Sequence, residues 1–101
     1  MYDCIIIGGG AAGLFAATLF DPKLKIAVIN HHSTLGKKLS ITGKGRCNVT
    51  NDCTLDEFLK NTPVGGKFMY AAFNSFTPQD VMDFFTKGGT PLKVERGNRV
   101  F

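Results

Sequence analysis

The chain has 101 residues, of which 44% are hydrophobic and 20% charged, with a formal net charge of +4 at pH 7. This composition predicts one globular domain and excludes a disordered chain, and no apolar run approaches the roughly 20 residues of a membrane-spanning helix. Three cysteines without framework spacing, after an N-terminus that shows no secretory signal, favour a cytoplasmic protein with no membrane partner.

A strand, a short helix and a second strand are predicted first. Cys4–Ile7 is an apolar β-branched run that ends in glycines, which indicates a parallel strand buried on both faces. Residues 11–20 are strong helix formers that end before Asp21-Pro22, and residues 25–30 read as the second strand. A strand, helix and strand with no room for a hairpin predict a right-handed βαβ unit with parallel strands.

The glycine-rich turn after the first strand has the form of a dinucleotide-binding fingerprint. Gly8-Gly-Gly10-Ala-Ala-Gly13 matches G-x-G-x-x-G, between a predicted strand and a predicted helix. Gly8 permits the tight turn, Gly10 lets the backbone approach a pyrophosphate, and Gly13 allows close helix packing. The helix N-terminus, at Ala11 and Ala12, offers N–H groups to the phosphates. Dinucleotide binding is therefore predicted; the alternative is a glycine-rich turn that binds nothing.

Asn30, at the end of the second strand, is the residue expected to contact the ribose. An acid is usual there, and Asn keeps an acceptor oxygen without the charge, so the contact is predicted to be weakened. The missing carboxylate also removes one reason to exclude a 2′-phosphate. His31 and His32 follow without a third ligand nearby, and are interpreted as solvated or ribose-facing side chains rather than a metal site.

The stretch LSITGKGRCNVTN, at residues 39–51, is predicted to be a loop, because it is too polar for a strand and too rich in Gly and Asn for a helix. Four cations in or just before it have no acid between them: Lys37, Lys38, Lys44 and Arg46. The cluster indicates an anionic ligand. The alternatives are a solvated face and a nucleic-acid patch, and the second is disfavoured because no aromatic residue interleaves the cations.

Helices and a hairpin are predicted after this loop. The helical signals cover residues 55–61, 68–76 and 78–87. Thr54 and Thr77 are N-cap residues with an acid three residues later, and the apolar residues from 68 to 76 are interpreted as helix core. Alternation after Leu92 and the turn pair Gly97-Asn98 predict a terminal β-hairpin, which is marginal without a third strand.

Several motifs together resemble one family. They are the glycine fingerprint, Leu35-Gly-Lys-Lys-Leu39, Thr42-Gly-Lys-Gly-Arg-Cys-Asn-Val-Thr-Asn51 and Val94-Glu-Arg-Gly-Asn-Arg-Val-Phe101. The chain resembles the bacterial BaiN-like, aminoacetone-oxidase-like family of NAD(P)/FAD-dependent oxidoreductases from end to end. The resemblance implies an α/β fold: a Rossmann-like βαβ unit, then helices and a terminal β-hairpin, as an incomplete doubly wound domain. The chain departs from the family at Asn30, where Glu is usual.

Members of that family are several times longer than this chain, so the resemblance implies an N-terminal piece. Residues 1–90 would then be part of an FAD-binding domain, and residues 91–101 would begin an inserted substrate domain. A chain that stops in the apolar Val100-Phe101 also suggests a piece of something longer. Such a piece is expected to expose apolar surface, to self-associate and to show no turnover by itself.

The resemblance also implies a cofactor site that runs from the pyrophosphate of FAD to its isoalloxazine ring. Beyond the glycine fingerprint, the implied cofactor-binding residues are Asn30, His31, Gly36, Lys37, Lys38, Thr42, Gly43, Gly45, Arg46, Cys47 and Asn48. Cys47 and Cys53 fit neither a C-x-x-C nor a zinc pattern, so Cys47 is interpreted as packed rather than redox-active. No catalytic residue and no metal ligand are predicted.

The implied function is the FAD-binding portion of a flavin-dependent oxidoreductase that uses NAD(P)H or a small organic substrate. One alternative is a nucleotide-binding fragment without turnover. Another, less favoured, is a basic module that binds nucleic acid.

Overall fold

The structure, a computed structural model, describes residues 1–101. In chain order its elements are β1 (Cys4–Ile7), α1 (Ala11–Thr18), β2 (Ile26–Ile29), α2 (Lys37–Gly45), β3 (Thr50–Asn51), α3 (Leu55–Lys60), α4 (Gly66–Ser75), α5 (Pro78–Lys87), β4 (Val94–Glu95) and β5 (Arg99–Val100). They form two compact units, Met1–Cys47 and Asn48–Phe101.

The first unit is the predicted βαβ unit. Its strands β1 and β2 are parallel, with Cys4 opposite Ile26 and Ile7 opposite Ile29. The N–H of Gly8 donates to the carbonyl oxygen of Ile29 over 2.7 Å, which extends the pairing into the glycine loop. Helix α1 packs against both strands. The prediction of a parallel strand–helix–strand unit is therefore confirmed.

One face of this two-stranded sheet is exposed, although both faces were expected to be buried. Ile5 and Ile7 are 54% and 87% exposed, and Ile29 on β2 is 55% exposed. These residues alternate with the half-buried Cys4 and Ile6. Successive side chains of a strand point to opposite faces, and α1 covers only one of them. The expectation of burial on both faces is wrong for this chain.

The segment at residues 39–51 is only partly a loop. Its first residues belong to α2, where the N–H of Ser40 donates to the carbonyl oxygen of Gly36 over 3.0 Å. Regular helical geometry ends at Thr42, which has a ψ of 155°. At the other end, Thr50–Asn51 forms β3. The loop prediction is wrong at both ends: the first residues continue the helix that begins at Lys37, and composition does not reveal the pairing partner of β3 some 50 residues away.

The second unit contains a three-stranded antiparallel sheet in the order β3-β5-β4. Val100 on the central strand faces Thr50 on one side and Val94 on the other, and its side chain is 0% exposed. The predicted hairpin is confirmed, and β3 supplies the third strand that stabilises it. Because Glu95 pairs with Arg99, the connection has three residues rather than the predicted two.

Helices α3 and α5 begin at the predicted residues, whereas α4 begins at Gly66, two residues before the predicted start at residue 68. Both threonine caps form complete capping boxes, Thr54 with Glu57 and Thr77 with Asp80. Helix α3 packs against α4, where the rings of Phe58 and Phe73 lie 4.7 Å apart between centroids. Helix α5 packs against β3.

The interpretation of residues 68–76 as helix core is only partly correct. Phe73 is half-buried against α3, whereas Phe68 is 87% exposed, because α3 covers one side of α4 only. None of the helices combines the length and the apolar character that a membrane crossing requires.

The domain boundary inferred after residue 90 stays a prediction. Within this chain, the residues beyond it pair with β3 in one sheet.

Candidate functional site

The glycine loop between β1 and α1 has the geometry that its sequence predicts. Gly8 has a φ of 104°, a backbone conformation that residues other than glycine rarely adopt. A Cβ atom on Gly13 would overlap the carbonyl oxygen of Gly8, so helix and loop approach more closely than any other residue would permit. A Cβ on Gly10 would meet no atom within 4 Å. Gly10 therefore faces open space, as a backbone that receives a ligand must.

The N-terminus of α1 opens beside Gly10. Gly10 is the N-cap and has no side chain to accept the first-turn N–H groups. The N–H groups of Ala11, Ala12 and Gly13 have no acceptor within the helix, because the first turn lacks preceding carbonyls. Such donors, together with the positive end of a helix dipole, are suited to binding an anion.

Gly9 is a site residue that the fingerprint does not single out. It is buried, and a Cβ there would overlap a methyl group of Leu35 and lie 3.2 Å from the side chain of Asn30. Its carbonyl oxygen accepts from the N–H of Gly36 over 2.7 Å. The middle glycine of the run Gly8-Gly9-Gly10, at a position where the motif allows any residue, was the sequence signal for this close packing.

The side chain of Asn30 joins the glycine loop to the segment that follows β2. Its Oδ1 accepts from the N–H of Gly9 over 3.2 Å. Its Nδ2 donates to the carbonyl oxygens of His32, over 2.7 Å, and Thr34, over 3.0 Å. The ribose contact inferred for Asn30 stays a prediction, and in this structure the amide bonds to backbone groups of the protein. His31 lies exposed, with its ring 4.9 Å from that of His32.

The start of α2 lies beside the glycine loop because Gly36 bonds to Gly9. Gly36 has a φ of 66°, and the side chains of Lys37 and Lys38 are exposed on the first turn of the helix. The geometry thus brings together the predicted residues of the fingerprint with Asn30 and residues 36–38.

Positive charge is concentrated in the first unit. Residues 1–47 hold six of the twelve basic residues and two of the eight acids, so this unit carries the whole net charge of +4. The two acids, Asp3 and Asp21, precede β1 and β2 and therefore lie at the amino ends of the strands. The glycine loop and Asn30 follow the carboxyl ends of the same strands. Among the residues of the first unit, the edge that holds the candidate site consequently has cations and no carboxylate.

The remaining predicted residues of the first unit form a left-handed loop at the C-terminal end of α2, where regular helical geometry has ended. Gly43, Lys44, Gly45 and Cys47 all have positive φ, of 58°, 57°, 85° and 60°. The loop is closed by the N–H of Cys47, which donates to the carbonyl oxygen of Thr42 over 3.0 Å. A non-glycine residue with positive φ stores strain of roughly 1–3 kcal/mol, and such strain is concentrated at functional sites.

Arg46 and Asn48 make side-chain hydrogen bonds of their own. Arg46 donates through Nε to the carbonyl oxygen of Gly43 over 3.4 Å. Asn48 belongs to the second unit, where its Nδ2 donates to the carbonyl oxygens of Thr50 and Val100 over 3.1 and 2.9 Å. Both amide hydrogens of Asn48 are thus used, and its oxygen remains as the acceptor for the flavin contact that stays predicted.

A separate cleft of about 480 Å³ in the second unit contains Cys53 and Glu57. Burial, together with the negative charges of Glu57 and Asp52, raises the pKa of the Cys53 thiol above its usual value. Cys53 is therefore held as a protonated thiol, which disfavours a nucleophilic role. No group of three His, Cys, Asp or Glu side chains has an arrangement that would hold a metal ion.

Comparison with protein families identifies the fold to which this geometry belongs. The family model of the HI0933-like protein Rossmann domain matches residues 2–101. The chain belongs to this family. Its membership agrees with the resemblance seen in the sequence and confirms the α/β, Rossmann-like fold class. Rossmann folds bind dinucleotides at the carboxyl ends of parallel strands, where the HI0933-like chain has its open glycine loop.

The chain is similar to three curated proteins. The Ribosomal RNA dihydrouridine synthase of Escherichia coli (strain K12) is 34% identical over 90 residues, which cover 87% of the HI0933-like chain and 22% of the relative. The protein of the same name from Haemophilus influenzae is 34% identical over 99 residues, or 96% and 24% of the two chains. The 3-dehydro-bile acid delta(4,6)-reductase of Clostridium scindens is 42% identical over 50 residues, or 46% and 12%. The HI0933-like chain thus spans a quarter or less of the length of these relatives.

Proposed function

We propose that this chain is the FAD-binding portion of a flavin-dependent oxidoreductase. The observation that carries the proposal is the open flank of Gly10 before the free N–H groups of α1, at a sheet edge to which the first unit contributes cations and no acid. This arrangement fits the pyrophosphate of a dinucleotide. FAD, when bound, supplies the electron-transfer chemistry that protein side chains lack.

The residues of the first unit divide the binding task. The N–H groups of Ala11 and Ala12 would bond to phosphate oxygens, and Lys37 and Lys38 would lower the electrostatic cost of two phosphates side by side. The left-handed backbone from Gly43 to Gly45 has no bulky side chain at either end, which suits contact with a flat ring. Arg46 places a positive charge next to that backbone, which would favour an anionic reduced ring.

The substrate of the whole protein is a further part of the proposal. A small organic substrate and an NAD(P)H donor follow from the resemblance, and the name of one relative describes a bile acid reductase. The two synthases are named for ribosomal RNA, which suggests RNA as an alternative substrate. The positive charge of the first unit is compatible with RNA binding. RNA binding whose affinity falls steeply with added salt would favour an RNA substrate over a small molecule.

The cofactor is tested with this chain and with a longer protein that contains it. Titration of the isotope-labelled 101-residue chain with ADP is expected to shift the NMR signals of the Gly10, Ala11 and Ala12 amides. Mass spectrometry of the ligand extracted from the longer protein is expected to find FAD. If the 101-residue chain binds ADP but the longer protein contains no flavin, a nucleotide-binding chain without flavin chemistry would be favoured. No shift with millimolar ADP or FAD would overturn the proposal.

A further inference from the structure

We infer that the adenosine end of this site accepts a ribose bearing a 2′-phosphate as readily as one with a free 2′-hydroxyl. The reason is that the side chain of Asn30 does not bind the ribose. Its hydrogen bonds join Gly9 to the segment of His32 and Thr34, and we call this set of bonds the latch. This inference rests on the proposed nucleotide function and adds the chemical class of ligand that the site admits.

Hydrogen bonds within the protein use three of the four hydrogen-bonding positions of the Asn30 side chain. An amide side chain has two donor hydrogens and one oxygen with two lone pairs. Both donor hydrogens go to the carbonyl oxygens of His32 and Thr34, and one lone pair accepts from Gly9. One lone pair of Oδ1 is left, on a neutral oxygen that already points at the glycine loop. A ribose hydroxyl gains little from this group.

Rossmann folds that select a free ribose hydroxyl do so with a carboxylate at this position. The carboxylate accepts from the hydroxyl and repels a phosphate, so a single residue provides both affinity and discrimination. A neutral amide provides no such repulsion. The neutral amide also forms the latch, because its two N–H groups donate to the carbonyl oxygens of His32 and Thr34, which a carboxylate cannot do.

The charges around Asn30 favour the phosphorylated ligand. A phosphate monoester carries a charge of about −1.5 to −2 at pH 7. The two acids of the first unit, Asp3 and Asp21, lie at the amino ends of the strands, away from Asn30 at a carboxyl end. The nearby segment holds the exposed Lys37 and Lys38, on the helix that the bond between Gly36 and Gly9 fixes beside the loop. Among the residues of the first unit, the added phosphate therefore meets cations and no carboxylate.

The experiment compares ADP with 2′-phosphoadenosine 5′-diphosphate, which differ only in the 2′-phosphate. Dissociation constants come from NMR titration of the 101-residue chain, with the amide signals of Gly9, Gly10 and Gly36 as reporters. The two constants of the natural chain are expected to agree within about threefold, or to favour the phosphorylated ligand. A preference of tenfold or more for ADP would overturn the inference and leave the proposed function intact. Failure to bind either ligand would overturn both.

Two variants assign the effect to residue 30. Asn30→Asp restores a carboxylate of the same length and is expected to disfavour the 2′-phosphate by about tenfold relative to ADP. His32→Asp places the same charge on a neighbouring exposed side chain and leaves the latch intact. It is therefore expected to disfavour the 2′-phosphate relative to ADP by less than Asn30→Asp does. The Gly9 and Gly36 signals show whether the loops keep their contact in each variant. An Asn30→Asp variant that binds both ligands equally would overturn the role of residue 30.

Discussion

The Cα atom of Gly13 lies against the carbonyl oxygen of Gly8, with no space between them for a side chain. The contact brings the first turn of α1 down onto the loop that leaves β1. It fixes the direction of the helix axis and, with it, the direction of the free N–H groups at Ala11 and Ala12. Packing and ligand binding therefore depend on the same pair of glycines.

The first prediction concerns this packing. Gly13→Ala should lower the free energy of unfolding by about 1–3 kcal/mol, because the new methyl group can be accommodated only if the helix moves away from Gly8. Gly10→Ala is the matched control: it adds the same group where nothing lies within 4 Å. Urea denaturation followed by circular dichroism measures both. Equal stability of the two variants would contradict the close-packing role of Gly13.

The second prediction separates binding from folding at Gly10. Gly10→Val should fold like the natural chain, since its side chain would enter open space and its φ of −90° and ψ of −166° are extended. The same side chain should abolish ADP binding because it occupies the place of the pyrophosphate. Calorimetric or NMR titration measures the loss. Unchanged affinity in a folded variant would remove the glycine fingerprint from the functional argument.

The third prediction concerns the core of the second unit. Val100→Ala should lower the free energy of unfolding by about 2 kcal/mol, because the side chain is fully buried in the central strand. Val94→Ala changes the residue paired with it, which is 45% exposed, and should cost clearly less. Similar losses for both variants would mean that β4 and β5 are not arranged as described.

The fourth prediction follows from the capping boxes. The Thr54 and Thr77 backbone N–H groups and hydroxyls bond to Glu57 and Asp80, and this lowers the pKa of each carboxyl below its ordinary value, 4.5 for Glu57 and 3.8 for Asp80. A lowered pKa in the folded state stabilises the fold above the unfolded pKa, and this contribution is lost as pH falls through the folded pKa.

Stability of α3 and α5 should therefore decrease as the pH falls below about 4.5, apart from any other carboxyl effect. The Asp80→Asn variant cannot titrate at this position, so its stability should depend less on pH in the acid range than that of the natural chain. Thermal melting between neutral and acid pH measures the difference. Parallel pH curves for the two proteins would contradict a stabilising role for the Asp80 carboxylate.

The fifth prediction concerns the exposed sheet face of the first unit. Ile5, Ile7 and Ile29 form an apolar surface that the chain does not cover, so it is expected to associate in a concentration-dependent manner. Ile7→Lys should shift the population toward monomer, because burying a lysine in such a contact is costly. Light scattering over a range of concentrations measures the effect. A monomeric natural chain would show that this face needs no partner.

Local chemistry in the sequence predicted the parts of the fold that short-range interactions determine. The strand, turn and helix around Gly8 and Gly13, and the helix starts at Thr54 and Thr77, each depend on a few consecutive residues. The conformation of residues 39–51 depends on distant partners. Thr50 and Asn51 form a strand only because Arg99 and Val100 lie beside them. Composition favoured a loop there, and tertiary pairing overrode it.

The sequence by itself determined that a βαβ unit with an open glycine loop stands at the start of this chain, because glycine spacing and β-branched runs act within a single turn or strand. Only the tertiary structure decided what Asn30 does. Its position predicts a ribose contact, which stays a prediction, and the folded chain brings the Gly9 N–H and two carbonyl oxygens within hydrogen-bond distance of its amide. A side chain bonds to the groups that the fold places around it, and residue type and spacing do not specify those groups.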